Sequence, residues 1–278
     1  MKSRLDSYLF ENGLFESRAL ARAAIMEGLV SVDGTHAVKP GTQVSGSEAI
    51  SVDPMASAYV SRGGLKLEGA LEELGIDVRG MDVLDVGAST GGFTDCLLSA
   101  GAARVAALDV GKGQLHWRLR NDARVTVIEG CNARYLVPGD LPFSADLSTI
   151  DVSFISLEKV LGPVAAALDS HAQIVALVKP QFEAGREQVG RGGVVRDPSV
   201  HAGVLRSLAA WLAPEGLSLV GLAASRLRGP KGNIEFFIRI ARGGSSTVSG
   251  EDIDREVAAA HGMAPLSAGE GSGAPGKR

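Results

Sequence analysis

Short apolar runs recur from residue 82 to residue 240, at 83–86, 104–110, 125–130, 148–154, 173–179, 217–225 and 233–240. Between most of them lie longer stretches in which apolar residues return every three or four positions, as in 155–168 and 199–212. Strand runs alternating with helical spacing predict an α/β fold: a mostly parallel seven-stranded sheet with helices on both faces. The last two runs are separated only by the basic loop RLRGPKG. That is too short for a helical crossover, so the last strand should be antiparallel.

A different rhythm precedes this region. SRLDSYLFENG carries Leu5, Tyr8 and Leu9 at helical spacing and stops at Gly13. Ser17 then caps a second predicted helix, SRALARAAIMEG, with Leu20 and Ala24 on one face and Gly28 at its end. Two short strands, LVSVDG and EAISVD, come next, joined through HAVKPGTQV. This small α+β unit resembles the S4 RNA-binding domain. The likeness is carried by Arg4-Leu5-Asp6, Ser17-Arg18, Ala21, Ile25, Gly28, Val30, Val32, Asp33-Gly34 and Lys39-Pro40-Gly41. It implies that Arg18, Arg22 and Lys39 face RNA phosphates. An RLD tripeptide also occurs in some pseudouridine synthases, but here Asp6 lies inside the S4-like helix and is a poor catalytic candidate. The chain therefore divides into an S4-like unit over 1–56, a linker at 57–61, a main domain over 62–242 and a Gly/Ser-rich tail over 243–278. The tail is expected to be mobile, with a short helix around 253–260.

Composition narrows the class. A hydrophobic content of 45% and a charged content of 22% are ordinary for a globular protein. The two cysteines, Cys96 and Cys131, fall in no CxxC or Cys/His grouping, so neither a disulfide framework nor a metal site is expected. The amino terminus lacks a secretory pattern and no apolar stretch reaches 18 residues, which predicts a cytoplasmic protein without a membrane partner. The net charge of −4 conceals an asymmetry: residues 179–242 hold 10 basic and 5 acidic side chains. That +5 segment is a candidate footprint for phosphates.

The loop after the first main strand, DVGASTGGFTD, should hold the ligand, because open parallel sheets bind at the carboxyl ends of their strands. It lacks the lysine of a P-loop and the spacing of a dinucleotide GxGxxG site. Asp85, two residues before Gly87, is expected to face the pocket mouth. At 4 Å a carboxylate and a unit charge interact by roughly 4 kcal/mol at an effective dielectric of 20, which opposes a pyrophosphate and favours a cation. S-adenosylmethionine, with its ammonium and sulfonium, suits Asp85, Gly87, Ala88, Ser89, Thr90, Gly91, Gly92 and Phe93. Asp109, ending the second strand, is placed to accept ribose hydroxyls. Asn132 is placed to border the adenine, and Asp151 also adjoins the cofactor.

The residues at the end of the fourth strand constrain the methyl acceptor. Amino-directed enzymes carry an Asn- or Asp-Pro-Pro-aromatic motif there, whereas this chain has Asp151-Val152-Ser153-Phe154. Cytosine-carbon enzymes need a nucleophilic cysteine, and neither Cys96 nor Cys131 fits. Instead Lys66 lies in a glycine-led helix start, and Asp151, Lys179 and Glu235 follow or open apolar runs, where an unneeded charge would be costly.

In order and spacing the chain resembles the TlyA family, which joins an S4 domain to an FtsJ/RrmJ-like, Rossmann-like methyltransferase domain. Many of its members carry the name haemolysin. SRGGLKL, DVGASTGGFTD, DVGKGQL, IDVSFISL, LVKPQFE and KGNIEFF carry the resemblance. It implies a K-D-K-E catalytic tetrad at Lys66, Asp151, Lys179 and Glu235, S-adenosylmethionine as cofactor, and 2′-O-methylation of cytidine in 16S or 23S ribosomal RNA. A ribose hydroxyl is a poor nucleophile until its proton leaves. Lys179 is the candidate base, Asp151 its assistant, and Lys66 and Glu235 orient the ribose and Lys179. RNA is expected at Arg4, Arg18, Arg22 and Lys39, at Arg62, and along the basic segment at Arg186, Arg191, Arg196, Arg226, Arg228 and Lys231. Ribosomal RNA or subunits are thus the expected partners. The competing functions are a membrane-acting haemolysin, for which no amphipathic or spanning segment is evident, and a non-catalytic ribosome assembly factor.

Overall fold

The computed structural model describes residues 2–15, 17–26, 28–37, 39–52, 59–229 and 231–262. The first part of the expected linker, 57–58, and the tail beyond 262 lie outside the described residues. The N-terminal unit runs β1 (Ser3–Arg4), α1 (Leu5–Glu11), α2 (Arg18–Met26), β2 (Val30–Val32), β3 (Thr35–His36), β4 (Gln43–Val44) and β5 (Ile50–Val52). Strand β2 pairs antiparallel with both β3 and β5, and β1 with β4. The segment expected only to join two strands therefore contains two more, and a further strand precedes α1. These pieces are two residues long, too short for an alternation to register.

Ser17 Oγ accepts from the backbone N–H of Leu20 at 3.2 Å, as a cap should. The buried face of α2 is Ala21, Ala24 and Ile25, with Leu20 only half-buried. It packs on Leu5, Leu9, Val30 and Val44. Asp6 is buried and accepts two bonds from Arg4, at 3.0 and 2.7 Å. The Arg4 guanidinium holds its carboxyl below the usual range, so the charged acid anchors Arg4.

The main domain continues with α3 (Arg62–Glu73), β6 (Asp82–Val86), α4 (Gly92–Ser99), β7 (Arg104–Asp109), α5 (Trp117–Arg120), β8 (Val125–Glu129), β9 (Leu147–Ile150) and α6 (Glu158–Ala167). After these come β10 (Gln173–Val178), α7 (Pro180–Glu183), α8 (Pro198–Leu212), β11 (Leu217–Ala224), β12 (Phe236–Arg242) and α9 (Gly250–Gly262). The seven strands lie in the order β11-β12-β10-β9-β6-β7-β8. β12 is antiparallel to both of its neighbours, and the pairs from β10 to β8 are parallel. The chain moves outward from β6 through β7 to β8, then returns to place β9 on the other side of β6. This reversal opens a crevice above the carboxyl ends of β6 and β9.

Period-two alternation divides the core between the two faces. Leu84, Val86, Phe236 and Ile238 pack toward α6, α8 and α9, while Val83 and Phe237 pack toward α3, α4 and α5. After 243 the helix expected around 253–260 is present, longer than expected and packed on the main domain. Helix α9 buries Ile253, Val257 and Ala260, and its Glu256 accepts from the backbone N–H of Ala224 at 2.6 Å. Gly, Ser and acidic residues dominate the composition there, whereas three apolar positions at helical spacing decide the packing. Tyr59 and Val60, assigned to the linker, lie against the main domain: Val60 N–H donates to Asp95 Oδ2 at 2.8 Å, and Tyr59 OH to Glu68 Oε1 at 2.9 Å. Among the described residues, no helix is long and apolar enough to cross a membrane.

Candidate active site

Strand β6 delivers the loop 87–91 to the crevice. Gly87 has φ 83°, and a Cβ there would stand 2.2 Å from the carbonyl oxygen of Asp151, so only glycine lets the loop close on the end of β9. Ser89 also occupies the left-handed region, at φ 49°, a strained conformation for a residue with a side chain. Its N–H donates to Asp109 Oδ2 at 2.9 Å, and Gly111 N–H donates to Oδ1 at 2.6 Å. The carboxylate at the end of β7 thus braces the loop it faces.

The resulting cavity measures about 1030 Å³. Gly87, Ala88, Ser89, Thr90, Gly92, Phe93, Asp109, Asn132 and Asp151 line it. Two expected cofactor residues do not. Gly91 is the left-handed N-cap of α4, and a side chain there would meet Leu115 and Leu119 instead. Asp85 is fully buried beneath the loop, accepting from Thr94 Oγ1 at 2.7 Å and Thr149 Oγ1 at 3.0 Å. Strand alternation points residue 85 toward the α4 layer, away from the mouth, so the expected direct attraction of a cation by Asp85 is corrected to a brace between α4 and β9.

Burial pushes the Asp85 carboxyl up to about 6, against the pull of the two threonine hydroxyls. A raised acid favours folding at low pH, and that contribution is lost as the pH climbs from 3.8 through about 6. Asp85→Asn should therefore stabilise the fold at pH 8, by up to about 3 kcal/mol, and leave it unchanged near pH 4. Thermal unfolding across this range checks the sign; equal shifts at both ends would refute it.

Four elements bring the charged residues together. Lys66 on α3 and Glu235 just before β12 form a buried pair, Nζ to Oε2 2.7 Å, with the two residues 8% and 1% exposed. Lys179, the N-cap of α7, pairs with Asp151 just after β9, and its Nζ donates to Ser153 Oγ at 2.9 Å. Gln181 Nε2 reaches Glu235 Oε1 at 3.4 Å. All four line the cavity that the Gly87 loop lines.

Of the expected RNA contacts, Arg18 and Arg22 from α2 line this cavity together with Arg62, Arg228 and Lys231. Arg186, Arg191 and Arg196 are exposed on the adjoining 185–196 loop, and Lys39 is exposed on the N-terminal unit. Arg4 is held by Asp6. Arg226 corrects an expectation: it is committed to Glu72 at 2.7 Å and Glu73 at 2.9 Å, clamping its loop to α3. Neither Arg4 nor Arg226 lines the cavity.

Sequence reasoning missed an aromatic pair. Phe154 is 76% exposed at φ 65°, and its ring meets Phe182 with centroids 4.9 Å apart, both lining the cavity. An aromatic in the left-handed region beside Asp151 is where stored strain points to function. The available signal was the phenylalanine three residues after each of Asp151 and Lys179.

The donor set fits S-adenosylmethionine. A glycine cradle without a lysine of its own, carboxylates at Asp109 and Asp151, the Asn132 amide and apolar Ala88, Phe93 and Val110 would hold a cationic nucleoside. Residues 59–242 match the family model described as FtsJ-like methyltransferase, and residues 3–50 match the S4 domain. The Mycobacterium tuberculosis 16S/23S rRNA (cytidine-2′-O)-methyltransferase TlyA is 49% identical, over 85% of this chain and 89% of its own. Hemolysin A of Brachyspira hyodysenteriae is 41% identical, over 84% and 97%. A solved structure from Streptococcus thermophilus, described provisionally as a hemolysin, superposes with a TM-score of 0.74 at 43% identity, over 94% of this chain and 96% of that one. With both domains matched and relatives alike over most of its length, this chain belongs to the TlyA family of S4-domain proteins with an FtsJ-like methyltransferase domain.

Proposed function

We propose that the chain methylates a ribose 2′-hydroxyl of ribosomal RNA, with S-adenosylmethionine as donor and cytidine as the acceptor nucleoside, as in the name of the M. tuberculosis relative. The observation that carries this reading is the meeting of Lys66, Asp151, Lys179 and Glu235 on one cavity with the Gly87 loop. When bound, S-adenosylmethionine supplies an electrophilic methyl group. Residues 87–90, Gly92, Phe93, Asp109 and Asn132 would hold it, and Asp151 would border both it and the acceptor.

Lys179 is the residue that takes or steers the hydroxyl proton, held in direction by Asp151 and Ser153. The buried Lys66–Glu235 pair fixes the wall against which the acceptor ribose rests. Phe154, supported by Phe182, offers the acceptor base a stacking face, which favours a nucleotide turned out of its helix. Residues 1–56 and 62–242 divide the work between RNA docking and catalysis. The basic side chains around the cavity suit a protein acting on ribosomal RNA or subunits in the cytoplasm.

Transfer of tritium from labelled S-adenosylmethionine to ribosomal RNA, with mapping of the modified nucleotide afterwards, tests the proposal. No transfer to either subunit or its naked RNA would sink it. Arg191→Ala combined with Arg228→Ala should weaken RNA binding and flatten its salt dependence by about 1.5 units of logarithmic slope, two phosphate contacts being lost. Fluorescence anisotropy at several salt concentrations reads both effects, and an unaltered slope would remove these arginines from the interface.

A further inference from the structure

The short helix α7 faces the loop 151–157 at three successive points. Lys179 meets Asp151 and Ser153, Phe182 meets Phe154, and Glu183 meets Ser156 and Leu157. Positions 179, 182 and 183 stand at helical spacing, so one turn of backbone presents all three to the same neighbour. The first two contacts belong to the site already described. The third stands behind it: Glu183 does not line the main cavity, and its Oε1 accepts from the backbone N–H of Leu157 at 2.8 Å.

Leu157 is the N-cap of α6 and makes no side-chain cap bond. Helix starts leave backbone donors unsatisfied, and a carboxylate from another element can satisfy one and complement the helix dipole. Within the loop, Asp151 is anchored independently, its N–H donating to Val86 O at 2.9 Å as the ladder continues from β9. Residues 153–157 have no such ladder. Phe154 keeps its left-handed backbone there only while neighbours over-determine it.

We propose that Glu183 is a positioning residue that ties residues 153–157 to the helix carrying Lys179, and so sets where Ser153 and Phe154 stand against the acceptor nucleotide. This rests on the methyltransferase reading above for its chemical consequence, though not for the tether itself. Burial pushes the Glu183 carboxyl above the usual range, while Leu157 N–H and the Ser156 hydroxyl favour its charged form. A half-buried acid kept against that desolvation is one whose contacts matter.

The full chain, with Glu183→Ala and Glu183→Gln, provides the test. Hydrogen exchange of the 151–158 peptide should speed up in the alanine variant, and calorimetric S-adenosylmethionine affinity should hold, because the Gly87 loop and Asp151 keep their own anchors. Single-turnover methyl transfer should fall about 100-fold, as expected for groups displaced by an ångström. Glutamine keeps an acceptor for Leu157 N–H and should recover the rate to within about tenfold of wild type. Unchanged exchange in the alanine variant, or loss of cofactor affinity in step with the rate, overturns the proposal. If exchange responds but wild type methylates no ribosomal RNA, the tether stands and its role in that reaction is overturned.

Discussion

Lys179→Ala is expected to reduce methyl transfer by roughly 100- to 10,000-fold, the range for loss of a positioned acid or base, while S-adenosylmethionine affinity stays near wild type. The separation arises from where the side chain stands. Lys179 leaves the end of β10 and spends its ammonium on Asp151 and Ser153. The cradle at 87–92 is built by other elements, from the backbone of β6 and the carboxylate of Asp109. Single-turnover transfer and calorimetry on the same preparations read the two quantities. Lys179→Arg divides the possible roles further: a guanidinium keeps the charge but does not give up its proton. If arginine restores most of the rate, Lys179 orients the hydroxyl by charge; if it fails like alanine, proton acceptance is the role. Wild-type transfer by the alanine variant would remove Lys179 from the chemistry.

The strands of the main domain were legible because most combine a short apolar run with a glycine or acidic boundary, and the single antiparallel strand came from the length of RLRGPKG. Helix α9 was also written in the chain. Ser249-Gly250-Glu251-Asp252 is a capping signature, and Ser249 and Asp252 do exchange bonds, at 2.9 Å from Ser249 N–H and 3.2 Å from Asp252 N–H. The Gly/Ser-rich composition around it masks that local pattern.

The misread residues share a different cause. Asp85 lies 64 positions from Thr149, and Arg226 lies 153 from Glu73. No spacing rule joins such partners, so a charge already taken looks available. A strand's alternation says that residue 85 faces one layer but not which layer holds the ligand. The opposite error hid Phe154 and Phe182, whose hydrophobic type suggests core when read one residue at a time. Their meeting at the cavity rim comes from the ends of β9 and β10 being side by side, which only sheet order determines.

The ion pair between Lys66 and Glu235 joins residues 169 positions apart and carries the second large expected effect. Lys66→Met should destabilise the fold by about 3 to 5 kcal/mol, because it leaves a carboxylate buried without its partner. Glu235 is 1% exposed, and Gly229 packs so closely that a Cβ there would stand 2.5 Å from Glu235 Oε1, so little water surrounds the acid. Gln181 reaches it only at 3.4 Å and offers little compensation. For a chain of this size the loss corresponds to a fall in Tm of about 10 °C. Combining Lys66→Met with Glu235→Gln removes both charges and should recover most of that loss, because breaking a buried pair costs more than replacing it. The double variant should nevertheless remain inactive, since a restored fold does not restore the charges that fix the acceptor wall. Denaturant unfolding of wild type, the two single variants and the double gives the coupling energy directly. A coupling below about 0.5 kcal/mol would mean that water reaches the pair and that its burial has been overstated.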